Sequence, residues 1–254
     1  MKVLVTAGDT YEPIDDVRKV THMATGRLGS LIADEFARHG AEVTLVCGEG
    51  SLRPTLPMAK VVEIQGVISL QEALTGLLSE TSFDCVVHSM AVSDYTVRGL
   101  ATEEDLIDAL CKIAPHLHTS ENDRERASKI KQAINNALLQ TAGKISSDYP
   151  AIAVFMDRAP KVISCVKQIQ PKTILVGFKL LSNVEEEELL QAAREQMAAC
   201  GSDLVLANDL ARIKGDKHQG ILIGPEGILA RPATKPEIAQ AIVAHVTNRI
   251  KGPN

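Results

Sequence analysis

The sequence predicts an α/β protein, a Rossmann-like, doubly wound and mostly parallel sheet that ends in a C-terminal β-hairpin. Strand and helix patterns alternate almost throughout the chain, and the strand runs are rich in Val, Leu, Ile and Ala. Such alternation is typical of parallel strands joined by helical crossovers, and apolar strands are typical of a sheet covered on both faces. Two short runs, 220–224 and 227–230, flank a Pro-Glu turn and predict the hairpin.

The first 48 residues form one complete strand–helix–strand pattern. Residues 2–7 and 42–47 are apolar runs of strand length, and apolar residues recur at helical spacing over 26–39. The connection between the first strand and the helix, 8–25, far exceeds the ~2–6 residues usual for such loops. It follows the carboxyl end of the first strand, which is where open α/β sheets bind ligands.

The rest of the chain continues this alternation. The further predicted strands are 60–64, 83–89, 151–156, 173–177 and 203–207. The further predicted helices are 69–79, 103–117 with Thr102 as its cap, 124–140, one starting at Pro160, 185–200 closed by Gly201, and 236–250. Residues 143–147 are expected to form a short extended piece. Residues 119–140 are polar and basic in their first half, which fits a mobile lid, an inter-subunit arm or a plain surface insertion.

Composition narrows the class of protein. The 254 residues, 45% of them hydrophobic, favour a single domain over 1–254 with a helical insertion or flap at about 97–142. A net charge of −5 with interspersed signs argues against a nucleic-acid partner. No apolar run reaches ~18 residues and no signal peptide opens the chain, so neither a membrane span nor secretion is expected. Five scattered cysteines without CxxC spacing indicate a reducing, cytoplasmic environment.

Polar residues follow the predicted strands at four places, 8–10, 93–94, 178–179 and 208–209. In a parallel sheet these ends share one edge, so they are expected to meet around one ligand. Residues 25–29 begin the first helix, where free N–H groups favour a phosphate, although a plain threonine-capped helix start fits equally well. Neither GxGxxG after a strand nor GxxxxGK followed by Ser or Thr is present, so the dinucleotide and P-loop motifs both fail.

Single residues leave alternatives open. Lys144 fits either a lysine that stabilises phosphoryl charge or a solvated one. Asp94 fits a ligand for a metal or ribose hydroxyl, or a turn residue, and Asn208 with Asp209 fits a turn. His22 is a lone histidine, and His116-x-His118 has no carboxylate or cysteine at ligand-like spacing, so no all-protein metal site is expected.

The strings VTAGDTYEPIDDVRKVTHMATGRLG, HSMAVSDY, GKISS, RAPKVI, VGFKLL and ANDL occur in that order. Together they resemble phosphopantothenate–cysteine ligase, in its stand-alone bacterial form because no decarboxylase domain precedes them. The resemblance implies a homodimer of Rossmann-like subunits that uses CTP or ATP with Mg²⁺. In such enzymes the carboxylate of 4′-phosphopantothenate attacks the α-phosphate, pyrophosphate leaves, and the cysteine amine displaces the nucleotide from the acyl nucleotidylate.

The resemblance also assigns roles to residues. Lys144 corresponds to the lysine that supports acyl-nucleotidylate formation, and Thr25 with Gly26 to the pair that holds the substrate phosphate. The residues that match nucleotide contacts are Met90, Ala91, Asp94, Pro160, Lys161, Val162, Ile163, Phe178 and Lys179. Asn208 belongs to the ANDL string without an assigned role.

Two positions depart from the family pattern. His22 stands where the family has an asparagine that assists the intermediate, and Asp9 turns the usual AGGT into AGDT. Histidine can donate a hydrogen bond, but its reach and charge differ from those of asparagine. The alternative is therefore a non-catalytic or altered-specificity relative that binds a nucleotide or phosphopantothenate. A short-chain-dehydrogenase-like NAD(P) enzyme fits poorly, because its glycine fingerprint and Tyr-x-x-x-Lys pair are missing.

Overall fold

The computed structural model of the chain describes residues 1–139, 143–215 and 217–252. Its strands are β1 (Lys2–Ala7), β2 (Tyr11–Pro13), β3 (Lys19–Thr21), β4 (Glu42–Gly48), β5 (Lys60–Ile64), β6 (Cys85–His88), β7 (Tyr95–Thr102), β8 (Ile152–Arg158), β9 (Ile174–Leu181), β10 (Leu204–Asp209), β11 (Ile213–Lys214), β12 (Lys217–His218), β13 (Ile221–Gly224) and β14 (Gly227–Ala230). Its helices are α1 (Arg27–Arg38), α2 (Val67–Glu80), α3 (Glu103–Leu117), α4 (Asp123–Ala137), α5 (Ser164–Ile169), α6 (Glu186–Cys200) and α7 (Lys235–Lys251).

The chain divides into two compact units. One comprises Met1–Tyr11, Thr21–Ser93 and Pro160–Asn254, and the other comprises Glu12–Val20 and Asp94–Ala159. We refer to the first as the sheet unit and to the second as the hairpin unit, after its paired strands β7 and β8. The C-terminal hairpin of β13 and β14 belongs to the sheet unit. Helices α3 and α4 fall inside the insertion predicted at about 97–142, but the hairpin unit is wider than that range. The interpretation of 1–254 as a single domain stays a prediction.

The sheet unit is built on one sheet in the order β14-β13-β10-β9-β6-β1-β4-β5. The pairs from β5 to β10 are parallel, whereas β13 is antiparallel to β10 and β14 to β13. The parallel strands follow the Rossmann order 3-2-1-4-5-6, so the order reverses between β1 and β6. The Rossmann-like fold class and the C-terminal hairpin are confirmed.

Helices cover both faces of this sheet. In β10, Leu204 and Leu206 pack in one apolar cluster with α1 and α7, whereas Val205 and Ala207 pack in another with α6. Neighbouring residues of a strand point to opposite faces, so α6 lies across the sheet from α1 and α7. Burial on both faces explains why the strands are nearly all apolar.

The hairpin unit contains β7 and β8, which pair antiparallel from Tyr95↔Arg158 to Thr102↔Ile152. Strand β7 was not expected, and β8, expected within the main sheet, belongs to this separate two-stranded sheet. Thr102 caps α3 as predicted, since its hydroxyl accepts a 3.0 Å hydrogen bond from the Asp105 N–H. The last residue expected in the helix 124–140 lies outside the described residues.

Four local expectations differ from the structure. The loop 8–25 contains the paired strands β2 and β3. Residues 160–163 are not helical; Ser164 N–H and Cys165 N–H bond to carbonyls three residues back, which makes a turn before α5. Phe178 and Lys179 do not end a strand, because β9 pairs with β10 as far as Leu181 opposite Asp209. Within 143–147 the structure assigns no strand to the expected extended piece.

Candidate functional site

Three glycines meet where the strand order reverses. Gly8 follows β1 with φ +87°, Gly26 precedes α1 with φ +77°, and Gly29 lies in the first turn of α1. A Cβ on Gly26 would lie 3.1 Å from the Gly8 nitrogen, and one on Gly29 would lie 2.6 Å from the Ala7 Cβ. These are the three tasks of a dinucleotide fingerprint: a tight turn, close backbone approach, and close helix–strand packing. The fingerprint exists in space, with residues 9–25 inserted between its first two glycines.

The start of α1 is suited to an anion. Gly26 is its N-cap and offers no side chain to the first-turn N–H groups, and Thr25 Oγ1 lies 3.4 Å from the Arg27 nitrogen. Unsatisfied N–H groups and the positive end of the helix dipole favour a phosphate there. Thr25 is exposed and Gly26 is half-buried. Both predicted phosphate residues therefore lie at a helix start without a side-chain N-cap, and their role stays a prediction.

The loops after β1 and β6 are joined by backbone hydrogen bonds. Thr10 N–H donates to the Ala91 carbonyl at 3.0 Å, and Ala91 N–H donates to the Gly8 carbonyl at 2.9 Å. Ser93 N–H donates to Thr10 Oγ1 at 2.9 Å. The structure thus brings Ala91 and its neighbour Met90 beside the glycine-rich end of β1.

The two departures from the family pattern, Asp9 and His22, are both next to Thr21, the last residue of β3. The Thr21 hydroxyl donates a short hydrogen bond to the Asp9 carboxylate and also lies 3.2 Å from the Thr10 carbonyl. Asp9 therefore ties the end of β3 to the end of β1. His22 follows directly and is exposed.

His88, the last residue of β6, is a buried, uncharged side chain next to the end of β1. It is buried, and its Nδ1 lies 3.2 Å from Thr6 Oγ1, which accepts a 3.1 Å hydrogen bond from Met90 N–H. Burial, followed by the nearby charge of Lys161, lowers the pKa of His88 to about 4. Sequence reasoning missed His88, because nothing in HSM distinguishes it from any strand-end histidine.

Six residues expected to contact the nucleotide lie on two adjacent segments, 160–163 and 178–179. Val162 and Ile163 are buried, and a Cβ on Gly177 would lie 3.4 Å from Ile163 Cδ1. Phe178 follows and is half-buried, as is Lys179, whereas Pro160 and Lys161 are exposed. The turn before α5 therefore packs against β9 just ahead of Phe178.

Asn208 is hydrogen-bonded to another side chain, that of His218. Its Nδ2 lies 3.0 Å from His218 Nε2, and both residues are buried. Burial, and then the charge of Lys235, lowers the pKa of His218 to about 4, so the ring accepts the hydrogen bond in its neutral form. Asn208 also lines a cavity of about 190 Å³ together with Arg212 and Arg231. Of the strand-end residues predicted to meet around one ligand, Asn208 and Asp209 line this cavity and the others do not.

Asp94 and Lys144 belong to the hairpin unit, and both are exposed. The Asp94 carbonyl accepts a 2.9 Å hydrogen bond from Ala159 N–H. This bond extends the pairing of β7 and β8 by one residue on each strand.

Two residues that the sequence did not single out hold the backbone next to Lys144. The Asp15 carboxylate accepts a 3.1 Å hydrogen bond from Ile145 N–H and is paired with Arg18 at 2.6 Å, and Arg18 donates to the Ile145 carbonyl at 3.2 Å. The Arg18 guanidinium holds the pKa of Asp15 well below its usual range. The only sequence signal was a pair of opposite charges at i and i+3 in IDDVR.

The described residues contain neither a metal-binding cluster nor a membrane-spanning helix. Across 1–139, 143–215 and 217–252, no group of three or more His, Cys, Asp or Glu is placed to hold a metal ion. No helix within the same ranges is both long and apolar enough to cross a membrane.

The sheet order and the three glycines define a Rossmann-type α/β protein with an anion-favouring helix start at the reversal point. The family model of the DNA/pantothenate metabolism flavoprotein C-terminal domain matches residues 1–105 and 136–250, and the chain belongs to this family. This confirms the family resemblance seen in the sequence strings.

Individual relatives agree with this family. The chain is 32% identical over 242 residues to the coenzyme A biosynthesis bifunctional protein CoaBC of Thermococcus kodakarensis, which covers 95% of this chain and 49% of that protein. The chain thus spans about half the length of this relative. It is 32% identical to the DNA/pantothenate metabolism flavoprotein of Streptococcus pneumoniae, whose crystal structure matches with TM-score 0.78 over 97% of this chain and 98% of that one. A Cab2 variant in complex with phosphopantothenate-cysteine shares the fold at 17% identity, with TM-score 0.66 over 99% of this chain and 89% of that one.

Proposed function

We propose that the chain is a ligase that joins 4′-phosphopantothenate to L-cysteine in coenzyme A biosynthesis. The carboxylate of phosphopantothenate attacks the α-phosphate of CTP or ATP, an acyl–phosphate bond forms, and pyrophosphate leaves. The cysteine amine then attacks the acyl carbon, an amide forms, and the nucleoside monophosphate leaves. Family membership supports this reaction, as do the names of the relatives, which include a coenzyme A biosynthesis protein and a complex with phosphopantothenate-cysteine.

The observation that carries the proposal is the start of α1 beside Gly8 and Gly26. The first N–H groups of α1 have no side-chain N-cap, and a phosphate monoester is the anionic group of the proposed substrate. Thr25 offers its hydroxyl at the same helix start. The family role of Thr25 and Gly26 in holding the substrate phosphate is consistent with this geometry.

The proposed role of Lys144 is electrostatic. Attack of a carboxylate on a phosphate brings two anions together, so a cation must offset the charge that builds up in the transition state. The clamp of Asp15 and Arg18 on Ile145 fixes the backbone next to Lys144, which limits the positions that its ammonium group can reach.

The nucleotide and its cation complete the proposal. Met90, Ala91, Asp94, Phe178, Lys179 and residues 160–163 are proposed to contact CTP or ATP. Mg²⁺ would supply further charge neutralisation on the triphosphate, and it is commonly held by phosphate oxygens with one or two carboxylates. Asp94 is an exposed carboxylate of the kind that such a cation takes as a ligand. A homodimer in the cytoplasm belongs to the same proposal.

A second candidate is a binding protein that has lost part of the reaction. It is favoured by His22 in place of the family's asparagine and by Asp9, whose carboxylate is engaged by Thr21. Such a protein would bind phosphopantothenate or a nucleotide and form no amide.

Pyrophosphate release tests the two candidates. The chain is incubated with phosphopantothenate and either CTP or ATP, with and without cysteine. The ligase is expected to release pyrophosphate with one nucleotide at least, and to sustain release when cysteine is present. Saturable binding without release would favour the binding protein. Release that stops after one equivalent with cysteine present would place the defect in the second half-reaction, at His22.

A further inference from the structure

Ser51 lies in the turn that follows β4. Its N–H donates to the Gly48 carbonyl at 3.1 Å, which closes the turn over 48–51. The residue is 8% exposed, and its Oγ has no hydrogen-bond partner among the residues that the structure describes. An unpaired buried hydroxyl is unfavourable, so its position suggests a partner of another kind.

The Ser51 side chain occupies the space that three glycines leave for it. A Cβ on Gly8 would coincide with the Ser51 hydroxyl, and one on Gly48 would lie 3.2 Å from it. A Cβ on Gly26 would lie 3.0 Å from the Ser51 Cβ. The unpaired hydroxyl is therefore packed among Gly8, Gly26 and Gly48 at the first residues of α1.

Two hydrogen bonds hold this segment against the helix start. Leu52 N–H donates to the Thr25 carbonyl at 2.9 Å, and Ser30 Oγ donates to the Leu52 carbonyl at 2.5 Å. Ser30 is itself buried in the first turn of α1. Ser51 is consequently fixed in place with respect to the helix N-terminus, as a ligand-binding side chain must be.

We propose that the Ser51 hydroxyl donates a hydrogen bond to an oxygen of a phosphate group bound at the N-terminus of α1. The first N–H groups of α1 attract the group, and Ser51 gains the acceptor that it lacks. This inference rests on the proposed function only for the identity of the molecule that carries the phosphate. Two carriers share this chemistry, phosphopantothenate and the nucleotide.

The direct test is binding of inorganic phosphate. It is measured as the shift of the melting temperature on adding phosphate and by isothermal titration calorimetry. For Ser51→Ala we expect the Kd for phosphate to rise about tenfold, the usual effect of one hydrogen bond to a charged group, with the melting temperature of the phosphate-free protein kept or raised. Ser51→Cys keeps the shape of the side chain with a slightly larger sulfur that is only a weak donor, so it should show the same loss if Ser51→Ala folds poorly.

Thr247→Val is the matched control, because Thr247 in α7 also has a buried hydroxyl without a partner among the described residues. Its Kd for phosphate should not change. An unchanged Kd in both Ser51 variants, an equal change in Thr247→Val, or no phosphate binding by the unmodified chain would overturn the proposal. These titrations need no turnover, so they remain decisive if the ligase assay fails.

The carrier is identified by steady-state kinetics of Ser51→Ala. A raised KM for phosphopantothenate with an unchanged KM for the nucleotide would assign the phosphate to the substrate. The reverse pattern would assign it to the nucleotide. Either pattern supports the role of Ser51, whereas unchanged values of both KM contradict it.

Discussion

Substitution of Gly29 by alanine tests the close approach of α1 to β1, on which the glycine-lined helix start depends. The new Cβ would lie 2.6 Å from the Ala7 Cβ and 3.0 Å from both the Ala7 Cα and the Thr6 carbonyl oxygen. Carbon atoms pack at ~3.5–4.0 Å, so the helix must move away from the strand by about 1 Å. Neither neighbour is the flexible end of a side chain, so the strain cannot be relieved by a rotamer change.

The expected magnitude combines two opposing terms. Overpacking of a well-packed core costs roughly 1–3 kcal/mol, whereas replacing glycine by alanine inside a helix gains about 0.5–1 kcal/mol. Gly29→Ala should therefore lower the free energy of unfolding by about 0.5–2 kcal/mol. Gly76 offers the control: it lies inside α2, and a Cβ there would meet nothing within 4 Å. Gly76→Ala should raise the free energy of unfolding by about 0.5–1 kcal/mol.

Urea unfolding followed by circular dichroism measures both variants against the parent chain. The midpoints should move in opposite directions with unchanged slopes, because neither substitution changes the surface exposed on unfolding. The displaced helix should also bind inorganic phosphate more weakly in Gly29→Ala only. A Gly29→Ala variant as stable as Gly76→Ala would refute the close helix–strand contact and the spatial fingerprint built on it.

Three further predictions concern charge. Lys144→Ala should abolish pyrophosphate release with the unfolding midpoint unchanged. Substitution of Lys172, which is also exposed, by alanine should leave release intact. Release by Lys144→Ala at the parent rate would remove this lysine from the mechanism. Asp15→Asn should slow release roughly tenfold by loosening the backbone at Ile145, and equal rates in a stopped assay would contradict that positioning role. Because the pKa of buried His88 is about 4, below the ~6.5 of an unfolded histidine, its contribution to stability is complete above pH 6.5 and should fall by ~3 kcal/mol as the pH drops to 4. Urea midpoints across this range should be less pH-dependent in His88→Gln, and parallel curves would speak against a neutral buried ring.

Local patterns predicted the elements whose stability is decided locally. The first strand–helix–strand unit and the hairpin of β13 and β14 were found within one or two residues of the expected bounds. Other boundaries depend on distant partners. Strand β9 extends to Leu181 because β10 pairs with it that far, and β7 exists because β8 returns beside it. Neither pairing is visible in a window of neighbouring residues.

The candidate site shows the same division. The resemblance pointed to Thr25 and Gly26, and the structure places them at an uncapped helix start. The glycine fingerprint was missed because residues 9–25 separate Gly8 from Gly26 along the chain, although backbone packing unites them. The clamp of Asp15 on Ile145 was missed for a similar reason, since its partners come from distant segments. The roles of Lys144 and Asp94 stay predictions.

The proposed reaction joins a carboxylate to an amine and splits a nucleoside triphosphate into the monophosphate and pyrophosphate. The most direct measurement is mass spectrometry of the products after incubation with phosphopantothenate, cysteine and CTP or ATP. We expect 4′-phosphopantothenoyl-L-cysteine in the same molar amount as the pyrophosphate released. Absence of the amide with both nucleotides, from a folded chain that still binds phosphopantothenate, would contradict it.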